Sequence, residues 1–185
     1  MIAYLYTLFR KKKDIKYKYL KYYRYLNKTM QLEDQIVLWF HGVNNTKWDM
    51  SSYSQIADIN NIVEFSTILK SIDHKMFPNS MFFLMKQGVE PTWECPENKK
   101  GGTWSFKISD ASVEEIWFKV GILFLTNKIF QEDSILQGIS IAPKKGYYIL
   151  KVWTKEHGTN FNFSIDLESL GSEFCKGNSQ YKKHC

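Results

Sequence analysis

Apolar residues recur along this chain with two different periods, and the switches between them mark its elements. Ile36-Val37-Leu38-Trp39-Phe40 reads as a strand, followed by the turn-rich Gly42-Val43-Asn44-Asn45-Thr46, with Trp48 just past the turn. Ile62, Phe65, Ile68, Leu69 and Ile72 fall on one side of a helix of about three turns, with an N-cap at Asn60 or Asn61. Met81 to Lys86 reads as a strand, and Thr103 to Ser109 alternates with Trp104, Phe106 and Ile108 on one face. Ser112-Val113-Glu114-Glu115 matches a capping box, and the helix it opens carries Val113, Ile116, Trp117, Val120 and Phe124 on one stripe. Phe118, Ile122 and Leu125 form a second stripe about opposite, so this helix needs either two layers over it or a docking partner. Ile135 to Ala142 and Tyr147 to Thr154 read as a hairpin around Pro143-Lys144-Lys145-Gly146. Strands cluster around isolated helices with no βαβ rhythm, which predicts an α+β fold with an antiparallel sheet.

The chain of 185 residues is 44% hydrophobic and 24% charged, which fits a single globular domain and excludes a disordered chain or a membrane bundle. Its net charge of +6 is uneven: residues 1–30 hold nine Lys/Arg against the single Asp14, and the remainder holds sixteen against eighteen. Residues 1–30 thus form a basic extension, in which Tyr and Lys alternate from Lys16 to Lys28, and residues 31–185 form the domain. The extension reads as a nucleic-acid or ribosome contact, as a solvated tail, or as the result of a start upstream of Met30. Lys outnumbers Arg 23 to 2, with Arg10 and Arg24 both in the extension, so if the domain holds phosphates it does so with Lys point charges rather than bidentate Arg forks. Cys95, Cys175 and Cys185 are odd in number and lack metal spacing, which implies a reducing, cytoplasmic setting and no structural zinc. The apolar Met1 to Phe9 is too short to span a membrane and runs into Arg10-Lys11-Lys12-Lys13, so no signal peptide, membrane anchor or membrane partner is expected.

Enzyme motifs are missing: there is no GxSxG, GxxxxGK[ST], GxGxxG or HExxH, and His41, His74, His157 and His184 have no ligand spacing and read as surface or turn residues. A non-enzymatic protein without metal or cofactor is expected. The aromatic content of 16%, six Trp included, can serve a core, a partner face or stacking on bases. Lys86-Gln87-Gly88-Val89-Glu90-Pro91-Thr92-Trp93-Glu94 sets an indole beside a carboxylate in a Pro/Gly loop, and Asn98-Lys99-Lys100-Gly101-Gly102-Thr103-Trp104 follows closely. Trp93 by itself could equally anchor the core.

Together with Leu38-Trp39-Phe40, Lys47-Trp48, Trp117 and Val152-Trp153-Thr154, these segments resemble, in order from about Leu38 to Thr154, the 4E family of eukaryotic translation initiation factors, which bind the messenger-RNA 5′ cap. The resemblance implies a curved antiparallel sheet of about eight strands with two to three helices on its convex back and the cap in the concave slot. It implies that Trp48 and Trp93 sandwich the 7-methylated base, that Glu94 accepts from the guanine N1–H and amino group, and that Trp153 lies against the methyl group, with Trp39, Trp104 and Trp117 left to the core. Cap phosphates would meet Lys144, Lys145 and Lys151; Lys151, two residues before Trp153 on a strand, must share its face. Lys144 and Lys145 also fit a plain charged hairpin tip.

Two departures stand out. The family normally has Arg at the turn where this chain has Pro143 or Lys144, which predicts weaker, more salt-sensitive triphosphate binding. The dorsal site for the scaffold factor 4G and its competing repressors uses a Trp and an acidic residue where this chain has Ser66 and Lys119, while Ile62, Phe118 and Ile122 keep apolar surface there. A divergent scaffold or repressor partner is expected, and the protein itself is expected to be a monomer. Near the C-terminus Phe161, Phe163, Ile165 and Leu167 alternate like a strand, where the family would have a helix. The expected function is binding capped messenger RNA to promote translation initiation; the alternatives are a cap-binding repressor that sequesters messages, and a single-strand RNA-binding module without cap selectivity.

Overall fold

The computed structural model describes residues 32–131, 135–157 and 160–184, so the basic extension of residues 1–30 lies outside the described residues. In chain order the elements are β1 (Ile36–Gly42), β2 (Ser54–Ile59), α1 (Ile62–Ser71), β3 (Ser80–Lys86), α2 (Pro96–Lys99), β4 (Gly102–Ser109), α3 (Val113–Leu125), β5 (Leu136–Lys144), β6 (Tyr147–Thr154), α4 (Ile165–Glu168) and β7 (Ser179–Lys183). The seven strands form one sheet in the order β2-β1-β3-β5-β6-β4-β7, and every neighbouring pair is antiparallel. The α+β class with one antiparallel sheet is as expected, with seven strands among the described residues.

The register sorts the side chains into two faces, because residues directly opposite in an antiparallel pair point the same way. One row runs Leu38, Leu84, Ile139, Val152, Trp104 from β1 to β4, and each of these is at most 5% exposed. Phe82, Ile141, Leu150 and Phe106 form the next row on this face, also buried. This is the covered face. Its far end is filled by an aromatic layer in which Phe163 stacks on Phe130 at 4.6 Å and meets Trp104 and Phe106 edge-on. The other face carries Trp39, Phe83, Ser140, Lys151, Ser105 and Gln180 in one row, and Met85, Gly138, Trp153, Thr103 and Lys182 in the next. That mixture of rings, hydroxyls and ammonium groups belongs to an open face.

Local chemistry explains the element ends. Asn61 is the N-cap of α1, its side chain accepting from the Glu64 N–H, while the Glu64 carboxylate accepts from the Asn60 N–H. The capping box expected at Ser112 is not formed. Asp110–Ser112 makes a 3₁₀ turn leading into α3, and the Ser112 hydroxyl bonds to Ser109 instead of the helix. The close approach of the two long helices depends on Gly121, since a Cβ there would lie 2.2 Å from the Phe65 ring. The strand suggested by Phe161 to Leu167 is replaced by a single bridge from Phe163 to Phe130 and the one-turn helix α4, which Ser164 caps. Leu167 is buried there while Ile165 faces solvent. β2 and β7, the two edge strands, have no counterpart in the sequence expectations.

Candidate functional site

Two of the six Trp are well exposed, Trp48 at 53% and Trp93 at 45%. An indole left in water forfeits burial worth about 1.5–3 kcal/mol for a large side chain, so two of them in separate loops need a reason. Each is held by a built scaffold. Trp48 lies in the β1–β2 loop and stacks on the His41 imidazole with ring centres 4.6 Å apart and planes within 8°. His41 is fully buried on the open face of β1, and its Nε2 lies 2.9 Å from the Lys47 carbonyl. A carbonyl only accepts, so Nε2 carries the proton and buried Nδ1 has no partner among the described residues. The back of the Trp48 ring is thereby covered by a fixed flat group, and its front is left to solvent.

Trp93 and Glu94 sit at the tip of the β3–α2 loop, both exposed, while the neighbouring Val89, Pro91, Thr92 and Cys95 are buried. The staple is Asn98, fully buried, whose side-chain amide donates to the carbonyls of Glu90 and Thr92 at 2.8 Å each. The Asn98 carbonyl in turn accepts from Nδ1 of buried His184 at 2.8 Å. Gly101 lets β4 start against β6, since a Cβ there would fall 1.6 Å from the Thr154 carbonyl oxygen. The Asn98-to-Gly102 stretch that looked so specific in the sequence therefore shapes the loop.

Between the two loops runs a chain of rings. His41 meets Tyr53 at 4.7 Å, Tyr53 meets Phe83 at 5.5 Å, Phe83 meets Trp153 at 6.4 Å, and Trp153 meets His184 at 5.3 Å. Trp153 is 5% exposed, with its indole N–H donated to Ser140 Oγ at 2.9 Å. Burial and then the Glu94 carboxylate push the Tyr53 phenol up to about 12, so it stays neutral next to Glu94. A pocket beyond Trp153 is lined by Trp93, Thr103, Lys151, Trp153, Lys182, Lys183 and His184. Lys151 is half-buried there; burial first, then the charges of Lys144 and Lys182, hold its ammonium below the usual lysine range. Lys144 is exposed at the end of β5 and Lys145 at the turn that follows.

The sequence-named Trp93, Trp153 and Lys151 thus line one pocket. Glu94 lies within electrostatic reach of it through His184 and of Trp48's support through Tyr53. Trp104 and Trp117 are buried, and Trp39 packs half-buried against the Phe83 and Trp153 cluster. Sequence reasoning missed His41 and His184, placed there as surface or turn residues and found buried, and Lys182. His41 could have been noticed as the next open-face position after Trp39; Lys182 sits on a strand with no periodic signal.

On the helices, Ile62, Ser66 and Ile122 are buried, and Phe118 and Lys119 half-buried. The Ser66 hydroxyl donates back to the Ile62 carbonyl at 2.8 Å. Phe118 stacks with Phe65 at 6.0 Å, and Lys119 pairs with Glu115 at 2.5 Å. Among the described residues no helix is long and apolar enough to cross a membrane, and no cluster of His, Cys, Asp and Glu is arranged to hold a metal.

A family model described as Eukaryotic initiation factor 4E matches residues 31–177. Relatives include the Eukaryotic translation initiation factor 4E of Candida glabrata, 27% identical over 129 residues covering 60% of this chain and 62% of the relative. Another is Eukaryotic translation initiation factor 4E-2 of Schizosaccharomyces pombe, 27% identical over 153 residues, 80% of this chain and 61% of the relative. This chain therefore spans about three fifths of the length of these two relatives. Among solved structures, Ascaris suum eIF4E-3 in complex with the m7G cap superposes with a TM-score of 0.66 at 16% identity, covering 84% of this chain and 91% of that one. Caenorhabditis elegans eIF4E-3 in complex with the 4E-binding protein Mextli and a cap analog gives 0.67 at 16% identity, covering 82% and 91%. At that identity the likeness establishes a shared fold.

Proposed function

This chain belongs to the eukaryotic initiation factor 4E family, and from that premise we propose that it binds the 7-methylguanosine cap of messenger RNA and promotes translation initiation, without catalysis. The observation that carries this is the pair of exposed indoles on separate loops, each held by its own scaffold, with Trp93 lining a pocket together with Lys151 and Lys182. Trp48 and Trp93 take the base between them. Methylation at N7 makes the purine a cation, so each indole adds cation–π attraction to stacking, about 1–3 kcal/mol per ring. Glu94 accepts two hydrogen bonds from the guanine N1–H and amino group, a donor pair that adenine and the pyrimidines do not offer. Trp153, oriented by Ser140, meets the methyl group. Lys144, Lys145 and Lys151 hold the phosphates, and an anion there relieves the repulsion that lowers Lys151.

The test is quenching of Trp fluorescence by 7-methyl-GTP and by GTP. Strong quenching with a preference of at least about tenfold for the methylated form is expected, equivalent to 1.4 kcal/mol. Equal affinities would overturn cap recognition and leave the general single-strand RNA-binding role.

A second role, a cap-binding repressor, is favoured by one observation: Ser66 is buried and turned back on its own helix, and Lys119 carries the wrong charge for a basic-flanked scaffold peptide. A Tyr-x-x-x-x-Leu peptide with basic flanks is expected to bind weakly or not at all by calorimetry; tight binding would favour the ordinary initiation role. A divergent scaffold or repressor is the partner proposed for the helical side, and the cytoplasm the site of action.

A further inference from the structure

The open face does not end at the three lysines named for the cap phosphates. Across β5, β6, β4 and β7 its positions, taken from the register, are Gly138 to Lys144, Tyr147 to Trp153, Thr103 to Ser109 and Gln180 to His184 in steps of two. The charged side chains among them are Lys144, Lys151, Lys107 and Lys182, and none is acidic. This is a concentration of one sign in a domain whose residues 31–185 hold more acidic than basic side chains. No carboxylate pairs with these four lysines among the described residues. Lys107 lies 4.4 Å from the centre of the Tyr147 ring on the same face. With strands about 4.8 Å apart and same-face residues about 6.8 Å apart along a strand, the four lysine positions span a patch about 25 Å across, from Lys144 to Lys182. A cap triphosphate fills only the part beside Lys144 and Lys151.

We propose that the outer part of this face, Lys107 with Tyr147 on β4 and β6 and Lys182 on β7, binds the single-stranded RNA that follows the cap. The proposal rests on the cap assignment for its starting point, the Trp93 and Trp153 pocket, which Lys182 borders. Lys107 and Lys182 meet backbone phosphates, and the Tyr147 ring gives a stacking surface that accepts any base, so the track is not sequence-selective. Glu94, the acidic group beside the pocket from which the track starts, sets the polarity: it repels phosphate and keeps the base end of the ligand there.

The probes are 7-methyl-GTP, a capped hexaribonucleotide and the same hexamer uncapped, titrated against the full chain at several salt concentrations. The capped hexamer is expected to bind at least about fivefold more tightly than 7-methyl-GTP at low salt, the gain fading as salt rises. Lys107→Gln is expected to leave 7-methyl-GTP affinity unchanged, to weaken the capped hexamer about threefold, and to lower its log–log salt slope by about 0.7. Lys182→Gln is expected to weaken the hexamer more than the nucleotide. Equal affinity of the capped hexamer and 7-methyl-GTP would overturn the proposal, as would a Lys107→Gln variant that weakens both alike, or tighter binding of a poly-glutamate peptide than of the uncapped hexamer. If 7-methyl-GTP alone failed to bind, the cap assignment would fall; weaker binding of the uncapped hexamer to Lys107→Gln would still support the RNA track, and unchanged binding would overturn it.

Discussion

The two faces of the sheet are made by the same strands and the same alternation, yet they do opposite things with aromatic side chains. On the covered face Trp104 and Phe106 each meet Phe163 edge-on, at 5.7 and 5.3 Å, and all three are almost fully buried. On the open face the rings form a line, Trp48, His41, Tyr53, Phe83 and Trp153, that begins with an indole half in water. The covered rings have only apolar work to do. Key groups on the open side are tied by polar bonds: His41 to the Lys47 carbonyl, Trp153 to Ser140, and the Trp93 loop to Asn98. Orientation is fixed where the proposed flat ligand would sit, and volume is filled on the opposite face. Substitutions should therefore divide, changing stability on one face and recognition on the other.

The largest effect is expected on the covered face. Phe106→Ala removes a fully buried ring that contacts Phe163 and Phe174, at a cost of about 3–5 kcal/mol. Thermal unfolding should show a fall in Tm on the order of 10 °C, with 7-methyl-GTP affinity of the folded fraction retained. A comparable loss of affinity in folded protein would mean that the two faces are coupled.

Next comes base recognition. Glu94→Ala leaves two guanine donors unpaired in a desolvated slot, about 2–3 kcal/mol of binding, whereas Lys144→Ala removes a solvent-screened phosphate contact worth about 1 kcal/mol. Neither should move Tm appreciably, since both side chains are exposed. A Lys144 change that proved the more damaging would shift the centre of recognition from base to phosphate.

The covered face was the more legible in the sequence. Its strands announce themselves by alternation, as in Thr103 to Ser109, and α1 by Asn61 and its apolar spacing, because burial acts on every second or every third and fourth residue. Edge strands lack that pressure: Ser54–Ile59 and Ser179–Lys183 are mostly polar and solvent-facing, so nothing periodic betrays them. Lys182 was missed with its strand. The Phe161 to Leu167 alternation left strand and helix open for a related reason, since Phe161 and Phe163 are placed by ring packing around Trp104 rather than by a ladder. At the open face, the loop that presents Trp93 and Glu94 stood out through unusual neighbours. The roles of His41 and His184 did not, because a histidine acting through another ring leaves no spacing signature.

His41 offers a smaller, sharper test. His41→Ala takes away the surface that Trp48 leans on, an aromatic pair worth about 0.5–1.5 kcal/mol, and 7-methyl-GTP affinity should drop by about that much. His41→Phe keeps a flat ring without the bond to Lys47 and should restore most of the affinity. If His41→Phe were as poor as His41→Ala, the hydrogen bond rather than the stacking would be what positions Trp48.

The smallest effect expected is a pH dependence at His184, which closes the end of β7 against the Trp93 loop. Its N–H bonds to the Gly101 carbonyl at 3.0 Å and its Nδ1 to the Asn98 carbonyl. Burial, and then the charges of Lys151 and His157, lower its pKa from the usual 6.5, with the Asn98 carbonyl and Glu94 opposing. The folded state therefore binds its proton less readily than the unfolded chain. Between the lowered value and 6.5 the unfolded chain carries more protons, so stability rises with pH. The contribution is present in full above 6.5 and is lost as pH falls below it. On going from neutral to mildly acidic buffer, the unmodified protein should lose more Tm than His184→Gln, which keeps a donor for Asn98 but does not titrate, by a margin on the order of 2 °C. Equal losses in the two proteins would assign the acid sensitivity to other groups; a larger loss in the variant would mean that His184 is stabilised by its proton, with Glu94 rather than burial dominating its surroundings.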